Sequence, residues 1–315
     1  MSKIITIVGA TGLQGSAVIT ALAGDPKYTL RGLTRNPESR KAQELRNKGV
    51  EVVKAEIDDL SSLKSAFAGS YAIYGVTGIE EIMANQDLED IAEAEAQLGI
   101  NIAQVAAETA GLQHFIWSTL PPAAQISDGR YHLPNHVGKN KVDDFIRSNA
   151  SLAAKTTFLM IGQYHSNYSF NAISMYLIAT ADTYVQFASH PPDTPVYWIG
   201  DVTRNLVPFV KPIIEQSEKT KGNVVFAYAD VHTAEESLQI WAKAKGVKAV
   251  SVPVSAELLR TLWGKYADVL GAMWRYWGDV KEKSWSAPGQ TVLMKEDLGV
   301  TELISLADSF KDYEL

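Results

Sequence analysis

The sequence predicts an α/β fold, a doubly wound parallel sheet with a smaller C-terminal α/β substrate domain over its edge. Three observations predict it. Short β-branched runs alternate with helix-period segments at βαβ spacing from residue 3 to about residue 165. The first run, Lys3-Ile4-Ile5-Thr6-Ile7-Val8, leads straight into Gly9-Ala10-Thr11-Gly12-Leu13-Gln14-Gly15 and then a helical segment. Beyond residue 165 the alternation loses its rhythm. A glycine turn between a first strand and a first helix is the start of a Rossmann-type unit that holds a dinucleotide.

Each glycine of the turn has its own task. Gly9 lets the chain leave the strand sharply. Gly12 removes a Cβ so that backbone N–H groups can reach a pyrophosphate. Gly15 lets the helix from Leu13 to about residue 23 pack closely on the sheet. The N–H groups of Thr11, Leu13 and Gln14 and the positive end of that helix then face the phosphates. The second strand ends Leu33-Thr34-Arg35-Asn36-Pro37, with no carboxylate before Glu38. A carboxylate there would bind both ribose hydroxyls, whereas the Arg35 guanidinium suits a 2′-phosphate. Arg40 and Lys41 lie one turn further on. NADP(H) is therefore expected over NAD(H).

The remaining elements follow in order. A helix is expected over 38–47, stopped by Gly49, and then a strand over 50–53. Glu56, Ile57 and Asp58 follow at the ligand-binding edge of the sheet. Glu56 or Asp58 is a candidate for the adenine amino group, or else a cap for the helix over 60–67. A fourth strand, 71–76, ends at Val76, with Thr77 and Gly78 facing the cofactor. A long helix is expected from Asp87 to residue 110, and a fifth strand, 114–118, ends at Ser118. A loop over 121–130 leads to Tyr131, His132 and Pro134, the last suited to a first helical turn. In that helix Lys139 stands three residues after His136, on the same side. The sixth strand, 156–161, ends at Gly162 and Tyr164. The expected division is 1–165 for dinucleotide binding and 166–315 for the smaller domain, part of which returns to the main sheet. Strands are expected over 184–187, 224–227 and 249–252, and helices near 203–216, 233–245 and 256–277. In the last, Trp263, Tyr266, Leu270, Trp274 and Trp277 mark one helical face, read as a core stripe, an apolar substrate lid or a partner-binding face.

Composition narrows the function. Hydrophobic residues make up 46% of the chain and charged residues 21%, ordinary for a globular enzyme. The formal charge is −7 with no basic stripe, against direct nucleic-acid binding. Without cysteine there is no disulfide, thiolate catalysis or zinc–thiolate site. No apolar run has the length of a membrane span, and none reads as a signal peptide, so a cytoplasmic protein is expected. His132 and His136 lack a third ligand, and no metal site is expected.

The chain resembles the NmrA-like branch of the atypical short-chain dehydrogenases/reductases, with isoflavone-reductase-like relatives. The residues that carry the resemblance are Gly9, Gly12 and Gly15 with Thr34-Arg35, Ala55-Glu56-Ile57-Asp58-Asp59, and Gly111 to Ser118. Further matches are Gly138-Lys139, Thr157 to Asn167, and Ile199-Gly200-Asp201-Val202-Thr203-Arg204 to Val210. The resemblance implies an NAD(P)-binding protein that is either a reductase or a redox-sensing regulator. The sequence departs from the wider pattern at Asn135, where a proton-donating Tyr stands four residues before the Lys, at Ile100, where many members carry Lys, and at Met160-Ile161, where many carry Arg-Pro.

An NADPH-dependent reductase of an apolar small molecule (C=O, C=N or C=C) is the leading expectation. Lys139 would contact the nicotinamide ribose, and Tyr131, His136 and Tyr164 are the candidate proton donors. The alternatives are a redox sensor that binds a protein partner and a non-redox biosynthetic enzyme with a structural cofactor.

Overall fold

Eight strands lie side by side in one all-parallel sheet, in the order β14-β11-β6-β5-β4-β1-β2-β3. They are β1 (Lys3–Ile7), β2 (Tyr28–Thr34), β3 (Glu51–Lys54), β4 (Ala72–Gly75), β5 (His114–Thr119), β6 (Thr156–Ile161), β11 (Val224–Ala227) and β14 (Val292–Leu293). The computed structural model describes residues 2–78 and 88–313, apart from the side chains of residues 88, 89, 171, 265 and 266. The expected Asp87 helix start and the Tyr266 side chain therefore lie outside the described residues.

The connecting helices cover both faces, as parallel strands require. They are α1 (Leu13–Leu22), α2 (Arg40–Asn47), α3 (Leu60–Phe67), α4 (Leu88–Glu108), the one-turn α5 (Ala123–Ile126), α6 (Pro134–Ser148) and the one-turn α7 (Ala150–Ala153). Every residue of β5 and β6 is buried, so their side chains divide between two cores. Ile116 and Leu159 face the core with Val18, Leu22 and Phe209, while Phe115, Trp117 and Phe158 face the one with Ile102, Ala106 and Val142. A Cβ at Gly99 of α4 would lie 2.5 Å from Val142 Cγ2 and 2.9 Å from Trp117, which sets how closely α4 and α6 meet over β5. Ile100 packs half-buried against the same core.

After β6 the chain builds two small sheets. One has the order β12-β10-β7, from β7 (Gln163–Tyr164), β10 (Pro195–Gly200) and β12 (Asp230–Thr233). The other is β13-β9-β8, from β8 (Met175–Ile178), β9 (Thr183–Ala188) and β13 (Ala249–Pro253). The helix expected near 203–216 divides into α8 (Val202–Asn205) and α9 (Val207–Glu215), with Pro208 at the start of the second. After the short α10 (Ser217–Thr220), α11 (Ala234–Lys245) starts at a capping box of Thr233 and Glu236.

The long helix expected over 256–277 breaks at Gly264, whose φ of +68° lies in the left-handed region, into α12 (Ala256–Trp263) and α13 (Lys265–Val280). The aromatic stripe divides accordingly. Trp274 and Trp277 are 1% exposed, 5.1 Å apart and edge to face, and belong to the core. Trp263 is half-buried and stacks on Tyr176 at 5.6 Å. No helix among the described residues is long and apolar enough to cross a membrane.

Candidate functional site

The strand order reverses between β1 and β4, and in open α/β sheets the crevice beyond such a reversal is where ligands sit. The turn after β1 forms one wall. Gly9 has a φ of +66°, and a Cβ on it would lie 3.1 Å from Val76 Cγ1, at the exit of β4. Gly12 caps α1 with no side-chain hydrogen bond and sits at the surface beside the exposed Leu13. Among the described residues, the first helical N–H with a backbone partner is that of Ser16, to Gly12 O. The N–H groups of Leu13, Gln14 and Gly15 are thus available to an anion.

Gly15 is a glycine for a nearer reason than sheet packing, because a Cβ there would fall 2.3 Å from Gly9 O and 2.8 Å from Ala10 Cα. The turn closes on itself at this point. Thr11 lies half-buried between the two ends of the loop. A cradle without side chains, open N–H groups and a helix N-terminus together fit a pyrophosphate.

Arg35 is exposed at the end of β2, beside the turn, since Ala10 N–H points to Leu33 O at 3.4 Å. Arg40 is exposed and pairs with Glu44, and Lys41 is also exposed. At the exit of β3 the cap of α3 is Asp59, not Glu56 or Asp58. Glu56 is half-buried, Asp58 is exposed, and Ile57 O accepts a hydrogen bond from Asn101 Nδ2. Gly162 is buried, and a Cβ there would meet Tyr197 O at 2.6 Å, so its smallness serves the contact with β10.

The other wall is built by β4, β5 and α6. Lys139 is 7% exposed, and its ammonium donates to Thr77 O at 2.9 Å and Thr77 Oγ1 at 2.7 Å. It also lies 3.3 Å from Glu95 Oε1 and 5.0 Å from the Trp117 ring centroid. Burial pulls the lysine below its ordinary value, and the Glu95 carboxylate pulls it back up. Glu95 and the Tyr74 phenol are buried polar groups at this wall that sequence reasoning did not single out. Glu95 stands among Ile91, Ala92, Ala96 and Ile102, and a carboxylate on the buried stripe of α4 is a signal that periodicity could have raised. Asn135, in the place of the expected phenol, keeps a buried Oδ1 with no partner among the described residues.

The three proton-donor candidates are not brought together. His136 is 2% exposed, and its Nδ1 lies 2.8 Å from Pro121 O. A carbonyl only accepts, so Nδ1 carries the hydrogen and Nε2 keeps a lone pair. Burial pushes this imidazole down to about 4, leaving it neutral at pH 7. Tyr131 donates to Asp279 Oδ2 of α13 at 2.7 Å and packs edge-on against Tyr276, which also faces His136. Tyr164 OH accepts from Gln14 Nε2 at 2.7 Å, and Tyr74 OH donates to Gln14 Oε1 at 2.6 Å. The side chain of a turn residue thus ties the exit of β6 to β4. Ser118 is buried beside the Tyr74 phenol at the end of β5.

One turn beyond Lys139, Asp143 accepts from Thr119 Oγ1 at 2.7 Å, and its Oδ1 is buried with no partner among the described residues. Desolvation raises this carboxyl to about 7 against the hydroxyl of Thr119 and the charge of Arg147, which pull it down. His132 is exposed while His136 is buried, so the two do not converge.

A profile of the NmrA-like family matches residues 1–303. An NmrA-like family domain-containing oxidoreductase of Aspergillus hancockii, hkm9, is 29% identical over 271 residues, covering 81% of this chain and 76% of the relative. Among solved structures, NmrA, a negative transcriptional regulator, superposes with a TM-score of 0.78 at 18% identity, covering 99% of this chain and 95% of that one. The NADPH-dependent quinone oxidoreductase QOR2 of Escherichia coli, solved with NADPH, gives 0.69 at 19% identity, with 97% and 98% coverage. At these identities the structural likeness concerns the fold.

Proposed function

The chain belongs to the NmrA-like family, and from that premise we propose that it binds NADP(H) and reduces an apolar small molecule carrying a C=O, C=N or C=C bond. The observation that carries the reading is the side-chain-free cradle of Gly9, Gly12 and Gly15, with open N–H groups at Leu13 and Gln14 and the exposed Arg35 beside it. The similarity to the oxidoreductase hkm9, and the fold shared with a quinone oxidoreductase that binds NADPH, support it.

In this reading the turn holds the pyrophosphate, Arg35 holds the 2′-phosphate, and Glu56, Ile57 and Asp58 border the adenine. Val76, Thr77 and Ser118 line the far side, and Gly162 keeps the β6 exit close. Reduced nicotinamide bound there supplies a hydride. Lys139 sets a positive charge at that side of the crevice. For the proton the reading turns to the phenols of Tyr131 and Tyr164, because His136 is neutral at pH 7 and its one N–H is held by Pro121 O.

A second reading, a cofactor-sensing regulator, draws support from Asn135 and from the engagement of the Lys139 ammonium with Thr77 and Glu95 inside the protein. Titration with NADPH, NADP⁺, NADH and NAD⁺, followed by tryptophan fluorescence and calorimetry, separates the two. Tight NADPH binding with much weaker NADH binding, followed by NADPH oxidation in a screen of quinones and other apolar acceptors, is the expected result. Preference for an oxidised form, or indifference to the 2′-phosphate, refutes the reductase.

A further inference from the structure

A lysine ammonium taken out of water loses its hydration and tends to shed its proton unless an opposite charge goes with it. Lys139 is in that position. It is 7% exposed, and its partner Glu95 is 2% exposed. Glu95 Oε1 accepts from Thr77 Oγ1 at 2.8 Å and lies 3.3 Å from Lys139 Nζ. The same Thr77 oxygen accepts from Lys139 at 2.7 Å, which closes a three-membered ring of contacts among α4, α6 and the exit of β4. Glu95 Oε2 is buried with no partner among the described residues. The approach of the two helices depends on Gly138, where a Cβ would lie 2.9 Å from Ala92 O and 3.1 Å from Glu95 Oε2.

We infer that Glu95 is a positioning residue that holds Lys139 as a fixed cation at the crevice, so that Lys139 acts through its charge and not by giving up a proton. Among the described residues, few groups face Lys139. Glu95 comes from α4, Asp143 lies one turn along α6, Thr77 comes from β4, and the uncharged Trp117 ring comes from β5. Asp143 is raised to about 7 and lies one turn along α6, so Glu95, 3.3 Å from the ammonium, is the nearer of the two carboxyl groups. Its removal leaves a buried ammonium with little to hold its proton. The effect on cofactor binding rests on the reading above. The titration of Lys139 does not.

The test follows the Lys139 side chain by ¹³Cε-lysine NMR, assigned by difference against Lys139→Met, alongside NADPH affinity from pH 6 to 9.5. In the wild type, Lys139, lowered by burial but held by Glu95, should keep its proton through the neutral part of this range, with NADPH affinity free of any lysine-dependent step there. In Glu95→Gln it should lose its proton within the range, and NADPH affinity should fall about tenfold or more as it does, the loss of roughly one charge-assisted contact. Glu95→Asp should restore the wild-type profile.

Should Glu95→Gln not fold, Thr77→Val keeps the ion pair and removes the bridging hydroxyl. Lys139 should then titrate within about one pH unit of the wild type. Lys139 titrating alike in the wild type and Glu95→Gln, or dropping as far in Thr77→Val as a lost counter-ion demands, overturns the inference. If the lysine behaves as expected but NADPH binds nowhere in the range, the positioning role stands and the cofactor reading falls.

Discussion

Replacing Gly15 and Gly12 by Ala separates the fold of the turn from its capacity to hold a phosphate. At Gly15 the new methyl would sit 2.3 Å from Gly9 O and 2.8 Å from Ala10 Cα, both backbone atoms. Reaching an ordinary contact requires the turn or α1 to move by about 1 Å, and forced overpacking of this kind costs about 1–3 kcal/mol. With an unfolding entropy of ~2.1 cal/mol/K per residue, a chain of this length should lose about 2–5 °C in Tm. At Gly12 the methyl would meet Gly9 O at 3.2 Å and no other described atom within 4 Å, a contact that a few tenths of an ångström relieves. Gly12→Ala should therefore melt within about 1 °C of the wild type, yet fill the cradle. The loss of one or two N–H contacts to phosphate, at about 1.5–3 kcal/mol each, predicts NADPH binding weaker by about tenfold to a hundredfold or more. Differential scanning calorimetry and NADPH titration on both variants make the check. Gly12→Ala binding NADPH as tightly as the wild type, or Gly15→Ala melting unchanged, refutes the reasoning.

Arg35→Ala should weaken NADPH by about tenfold to a hundredfold while leaving NADH within about twofold, measured by calorimetry with each cofactor. Asp143, raised from 3.8 to about 7, keeps a proton that unfolding releases, so its contribution is present at low pH and lost as pH rises through 7. Comparing Tm of the wild type and Asp143→Asn from pH 4 to 8 should show that slope only in the wild type, worth at most about 4 kcal/mol for about three pH units. His136, lowered from 6.5 to about 4, works with the opposite sign. Its contribution is present above pH 6.5 and lost as pH falls through 4, and His136→Asn should take about one proton out of the acid limb of the stability curve. Trp277→Ala, in the core beside Trp274 and Trp285, should cost about 3–5 kcal/mol in denaturant unfolding.

The parallel sheet and its glycine turn were legible because they rest on local signals, namely strand-period runs, glycines and helix caps, whereas the reversal of strand order between β1 and β4 came only with the pairing of the strands. The family departures at Ile100 and Asn135 were legible too, since each is a single position. Interrupted helices were less so. Gly264 carries a left-handed φ that a helical stripe on either side conceals, and the break at 206–208 needed Pro208 weighed against its apolar neighbours.

By itself the sequence determined the shape of the turn after β1, because it is made by seven consecutive residues, Gly9 to Gly15, whose glycines allow the positive φ at Gly9 and the close approach of Gly15 to Gly9 O. Only the tertiary structure decided which charges face one another. Glu95 and Lys139 are 44 residues apart, and so are Ile57 and its partner Asn101; Gln14 reaches Tyr164 across 150. Tyr131 is committed to Asp279 only because α13 lies over the loop. Burial, which lowers His136 and raises Asp143, belongs to the packed assembly of elements and to no segment alone, because desolvation is the sum of everything that excludes water around a group.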